Sequence, residues 1–178
     1  MEVHEQADGL STLRLKLKNW KQGPNGPVFA FDDTSQMKFG DEIALGFSGS
    51  VFQEVFRGPV ISLESEYSQG QPPTIVFIAE HKQRVVQNSR RLPTQTPPII
   101  NLSYGAGLLS ARGFGNQAQP ASAIDGTAAG NPLLRRGIHV TLSGLGNRFN
   151  GHYQVTQCRH RFDIVQGYQT DFAASPAG

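Results

Sequence analysis

Residues 137–172 read GIHVTLSGLGNRFNGHYQVTQCRHRFDIVQGYQTDF, and this stretch decides the fold class. Ile138, Val140 and Leu142 alternate with His139, Thr141 and Ser143, which is the period-two pattern of a half-buried strand. GLGNRFNG then offers Gly144, Gly146, Asn147, Asn150 and Gly151 for positive-φ turn positions. HYQVTQCRHRFDIV is long enough for a return strand, QG marks a tight turn, and YQTDFAA closes a three-stranded meander.

Outward from this meander, the first half of the chain carries the same texture. In LSTLRLKLKNW, Leu13, Leu15 and Leu17 alternate with Arg14, Lys16 and Lys18. QGPNGP interrupts the pattern, PVFAF is a short apolar strand, and DEIALGF puts Ile43, Leu45 and Phe47 on one face. SVFQEVFRGPVISLESEYS is too long for one flat strand, and a bend or bulge is expected at Gly58-Pro59 because proline donates no ladder hydrogen bond. PTIVFIAEH is apolar on both faces through Ile75, Val76, Phe77 and Ile78, so it needs cover on both sides from a helix or a neighbouring subunit. HKQRVVQNSRR then reads as a short helix with a solvated basic face.

Composition agrees with a turn-rich β protein: 20 glycines and 11 prolines against only 17% charged residues. The expected class is mainly β, with two small barrel-like domains, one short helix and a long Gly/Ala/Pro-rich connection. Residues 1–91 form the first barrel-like domain. Residues 92–136 form a linker with short strands, including INLSYGAGLLSA as a strand pair and GFGNQAQPASAIDGTAAGNP as an extended loop. Residues 137–178 supply the closing strands of the second barrel.

Several kinds of chemistry are disfavoured by the same residues. A net charge of +2 is too small and too scattered for phosphate binding. No apolar run approaches the roughly 18 residues of a membrane helix, and the acidic start MEVHEQAD does not resemble a signal peptide, which points to folding in a cytoplasm. Cys158 is the only cysteine, so no intramolecular disulfide forms. Cys158 and His160 share a strand face and, with His152, are the only candidates for a metal. No CxxC or HxxxH spacing accompanies them, so no metal site is assigned. Ser143 in LSGLG lacks the nucleophile-elbow pattern, and the glycine-rich turns open no helix. Glu64 and Glu66 are two apart on a polar strand face, as ordinary solvation requires. Arg148-Phe149 and Arg159 to Phe162 are the nearest approach to basic-aromatic stacking, and turn and core positions account for them. Catalytic, cofactor and metal residues are therefore all read as none.

The ordered set Gly137, Gly144-Leu145-Gly146, Phe149, Gly151 with Tyr153, Val155-Thr156, His160 with Phe162-Asp163, and Gly167-Tyr168 with Thr170 and Phe172 resembles the closing segment of the phage late control gene D family, which includes VgrG-type hubs. More loosely, Gly40-Asp41, Phe56 and Gly58 are similar to that family's first barrel, and INLSYGAGLLSA to a further segment of it. The resemblance implies tail-tube-type β-barrels, three chains in a homotrimeric ring, and a structural role with no catalysis and no cofactor. Its implied partners are a central spike protein, an inner tube or tube-initiator protein and other baseplate proteins. The place it implies is the baseplate of a virion or injection particle assembled in the bacterial cytoplasm. Relative to the family the chain is a shortened form, because the domains between the barrels have no counterpart between His81 and Leu102. Two other readings follow from the residues alone. One is a β-barrel module binding carbohydrate or single-stranded nucleic acid through Tyr104, Phe114 and Phe149. The other is a peptidoglycan-cleaving enzyme using Glu64 and Glu66.

Overall fold

The computed structural model describes residues 1–31, 37–47, 52–82, 98–115 and 122–177. The described residues form strands and no helix: β1 (Glu2–Glu5), β2 (Leu10–Lys18), β3 (Lys21–Gly23), β4 (Gly26–Val28), β5 (Glu42–Phe47), β6 (Gln53–Glu66), β7 (Thr74–Lys82), β8 (Ile100–Tyr104), β9 (Gly107–Phe114), β10 (Ala123–Ala129), β11 (His139–Ser143), β12 (Gly151–Asp163) and β13 (Gly167–Pro176). They fall into two compact units, Met1–Val3 with Ser11–Lys82, and His4–Leu10 with Gln83–Gly178.

In the first unit the strands are ordered β1-β2-β7-β6-β5, with β3 and β4 as a separate hairpin. The alternating leucines of β2 direct Leu13 into a core with Val3, Val55, Phe56, Val60, Ile75 and Phe77. The doubly apolar β7 divides as its pattern requires. Ile75, Phe77 and Ala79 line the core, while Val76 on the opposite face is still only 9% exposed. The break at QGPNGP is a tight hairpin pairing Lys21 with Val28. β6 runs unbroken through Gly58-Pro59, with its irregularity just beyond, between Val60 and Ser62. Pro59 lies opposite Glu42, and a Cβ on Gly58 would lie 2.8 Å from the Glu80 carbonyl. The helix expected over 81–91 begins on strand residues, since His81 and Lys82 end β7, and its remainder lies outside the described residues.

The second unit is a closed six-stranded barrel, ordered β11-β8-β9-β10-β13-β12 and sealed by β11 against β12. The meander of β11, β12 and β13 stands as its alternation indicates, with Val140, Leu142, Tyr153, Val155 and Phe172 in the core. Gly144 and Gly146 both take φ 77° in the expected turn. The turn after β12 covers Ile164 to Gln166, so the IV of RFDIV is hairpin tip and not strand. β8 closes the barrel by pairing in parallel with β11, Leu102 opposite Leu142.

One expectation is corrected. The strand pair expected in INLSYGAGLLSA stands as β8 and β9, but GFGNQAQPASAIDGTAAGNP is not all loop: β10 lies within it and sits between β9 and β13. Small residues signal a loop when no partner is in view. Here they make room for the side chains of the neighbouring strand, and Ile124 and Ala128 are fully buried.

Candidate functional site

A chain of polar side chains runs through the barrel interior. Tyr153 and Val155 of β12 point inward, and unbroken alternation would then bury Gln157 and Arg159. A register shift between Val155 and Gln157 resets the phase, so Cys158 and His160 face the core instead. Both are 2% exposed.

Glu5, at the end of β1, is 4% exposed and meets them there. Its carboxylate forms an ion pair with the Arg135 guanidinium and accepts the Arg136 backbone N–H at 3.0 Å. It also accepts the Cys158 thiol at 3.2 Å. Cys158 Sγ lies 3.6 Å from His160 Nε2. His160 Nδ1 in turn lies 2.8 Å from the Tyr168 hydroxyl and 3.3 Å from Thr170 Oγ1. Thr170 Oγ1 accepts the Asn131 N–H at 3.2 Å. Among the described residues no buried side-chain nitrogen or oxygen lacks a partner.

The electrostatics follow from burial and from one cation. Burial pushes the Glu5 carboxyl up, but the Arg135 hydrogen bond and charge, the Arg136 amide and the Cys158 thiol together hold it below its ordinary value. Burial pushes the Cys158 thiol up, and the adjacent Glu5 carboxylate pushes it further the same way. Burial lowers His160 to about 4, partly offset by Glu5. Burial also raises Tyr168, whose hydroxyl stays protonated. The centre therefore holds a neutral thiol and a neutral imidazole, not the thiolate–imidazolium pair of a cysteine nucleophile. A guanidinium neutralises the carboxylate, the place a metal would need. No group of three or more His, Cys, Asp and Glu able to hold a metal is found among the described residues. Within the barrel unit these polar groups are engaged with one another, and Glu5 is the member that β1 contributes.

Of the sequence candidates, Cys158 and His160 are brought together and His152 is not. His152 is exposed, with Nδ1 3.1 Å from Thr141 Oγ1. Ser143 is exposed at the end of β11. Glu64 is paired with Arg14 at 2.9 Å and Glu66 with Lys16 at 2.8 Å, on the solvent side of the first unit. The Lys16 contact holds the Glu66 carboxyl below its ordinary value. Phe149 turns against the barrel core and Gly113, Phe114 carries the Arg112 guanidinium 5.1 Å from its ring centre, and Tyr104 is exposed. Arg159 and Arg161 share Asp171, at 3.1 and 3.0 Å. Glu5 and Arg135 escaped the sequence reading, and Tyr168 and Thr170 entered it only as positions of the closing segment, with no contact assigned. One signal was available for Glu5: in EVHE it continues the inward face of Val3.

No family model and no curated protein matches the sequence. Solved structures do match. A tail protein from Neisseria meningitidis MC58 superposes with a TM-score of 0.64 at 7% identity, covering 99% of this chain and 91% of that one. The chain has a tail-protein fold. The Escherichia coli c3393 protein, a component of the type VI secretion system with structural similarity to the T4 bacteriophage tail proteins gp27 and gp5, gives a TM-score of 0.61 at 9% identity over 99% and 73%. The 43 kDa tail protein of prophage MuSo2 from Shewanella oneidensis gives 0.58 at 9% over 98% and 93%.

Proposed function

We propose that this chain is a structural baseplate hub protein of a contractile phage tail or tail-like injection system, joining the inner tube to the central spike. The observation that carries the reading is the likeness to tail proteins over nearly the whole chain, one of them a type VI secretion component. The ordered glycine and aromatic positions of residues 137–172 support it from the sequence side. In this reading three copies form a ring, each contributing two β units, and the chain's work is mechanical. Glu64 and Glu66 are engaged in surface ion pairs, and Cys158 and His160 in the buried chain.

The test is association. Light scattering on the purified chain, alone and mixed with spike and tube proteins of a contractile injection system, should give a trimer or a complex containing one. A strict monomer that ignores both would overturn the proposal. Clearing of peptidoglycan in a gel assay, abolished by Glu64→Gln or Glu66→Gln, would replace it with the lytic reading.

A further inference from the structure

The barrel unit exposes an apolar point. At the tip of the β12–β13 hairpin Ile164 is 96% exposed and Val165 88%. The turn is built to hold them there. Asp163 Oδ1 accepts the Val165 N–H at 2.8 Å and the Gln166 N–H at 2.6 Å, Gln166 Oε1 accepts Arg161 Nη1 at 2.8 Å, and Gly167 takes φ 71°. Two adjacent aliphatic side chains on a rigid turn in water contribute nothing to their own unit.

The first unit exposes the opposite shape. Trp20, Pro27, Val28, Phe29, Pro72 and Pro73 line an open groove of about 360 Å³. Trp20, Val28 and Phe29 are 39, 44 and 51% exposed, and Phe29 is held edge-on to Tyr67 with ring centres 6.1 Å apart. A contiguous apolar concavity of this kind marks an interaction surface. The charges are complementary as well. Asp163 beside the tip is held below its ordinary value by the two turn amides and is anionic. Lys18 and Lys21 stand on either side of Trp20 in the chain, Lys21 opposite Val28 of the groove and Lys18 lining an adjoining pocket with Pro72, and neither forms an ion pair among the described residues.

We propose that the Ile164–Val165 tip of one copy docks in the Trp20–Phe29–Pro72 groove of a second copy of this chain, with Asp163 facing Lys18 and Lys21. The inference rests on the ring-forming reading above and names its contact. Tip and groove are different surfaces, so the interface is head-to-tail, and head-to-tail contacts close into rings when the rotation allows. Two side chains bury far less than the roughly 1,000 Å² of a stable interface, so the tip sets register within a larger contact.

The experiment mixes two single variants of the full chain, Val165→Cys and Val28→Cys, with a short bismaleimide. The native Cys158 is buried and adds no background. A cross-linked dimer should form in the mixture and be absent from either variant alone. Ile164→Asp with Val165→Asp should weaken self-association at least about tenfold without altering the circular dichroism spectrum, and Asp163→Asn, which keeps the turn, should weaken it less. A chain that self-associates yet gives no cross-link in the mixture overturns the tip-in-groove contact and leaves the ring reading standing. A wild-type chain that stays monomeric overturns both. Tip variants that keep their self-association but lose a spike or tube protein would reassign the tip to that partner.

Discussion

Glu5 shows how a buried charge is made tolerable. Its carboxylate meets Arg135, the Arg136 amide and the Cys158 thiol within the barrel unit, and each is a donor. Two outcomes follow at this scale. Cys158, 2% exposed and held as a neutral thiol, should react with a thiol reagent only after unfolding, and fast labelling of the native chain would contradict the burial. The second concerns acid. His160 has an ordinary value of 6.5 and about 4 in the fold, so the unfolded chain binds the extra proton between those limits. Stability is fully present above about pH 6.5 and is lost as pH falls toward 4; at roughly 1.4 kcal/mol per unit the loss is about 3 kcal/mol. Glu5 adds its own loss at lower pH, below its ordinary value of 4.5. Urea midpoints measured across this range should fall for the wild type and much less for His160→Gln. Little of this centre was legible in the sequence. Cys158 and His160 could be placed on one face, but their partner lies 153 residues away from Cys158, and no local pattern announces a contact of that span.

At the scale of the element, β10 shows why a strand can read as a loop. Gly126 lies directly opposite Phe172 of β13, and a Cβ on Gly126 would fall 2.6 Å from the end of that ring. Gly113 is covered in the same way by Phe149, at 2.5 Å, and Gly130 by Tyr168. The glycines are not punctuation here; their missing side chains are the space the rings fill. Gly126→Val therefore sets β-propensity against overpacking, and overpacking wins, at a cost of about 1–3 kcal/mol. Thermal unfolding should show the loss, and Phe172→Leu in the same chain should recover part of it. A neutral or stabilising Gly126→Val would mean that Phe172 relaxes freely. The contrast with β11 and β12 is physical. β11 buries Val140 and Leu142 at period two, and β12 opens with Tyr153 and Val155 in the same way, so they declare themselves, whereas β10 buries Gly126 and Ala128 beside a single large residue, Ile124. The parallel pairing of β8 with β11 was equally unreadable, because register between distant strands is set by barrel closure and not by either segment.

At the scale of the whole molecule the chain is partitioned within a single short strand. Val3 belongs to the first unit, where it is 1% exposed in the core, and Glu5, two residues on, belongs to the second. Neighbours on one face of β1 should then report on different units. Val3→Ala leaves a small cavity among Leu13, Val55 and Phe77, costing on the order of 1–3 kcal/mol. Glu5→Gln removes the buried carboxylate that the Arg135 guanidinium pairs with. Removing one partner of a fully buried pair costs about 3–5 kcal/mol, and Arg135, with 27% of its side chain exposed, belongs at the low end of that range. Hydrogen exchange on the full-length variants separates the two effects. Val3→Ala should cost protection in β2, β6 and β7 and spare the barrel, while Glu5→Gln should cost it in β12, β13 and the β11 seam and spare the first unit. Equal loss in both units from either substitution would show that they unfold as one body. Loss in neither from Glu5→Gln would show that the buried carboxylate is dispensable.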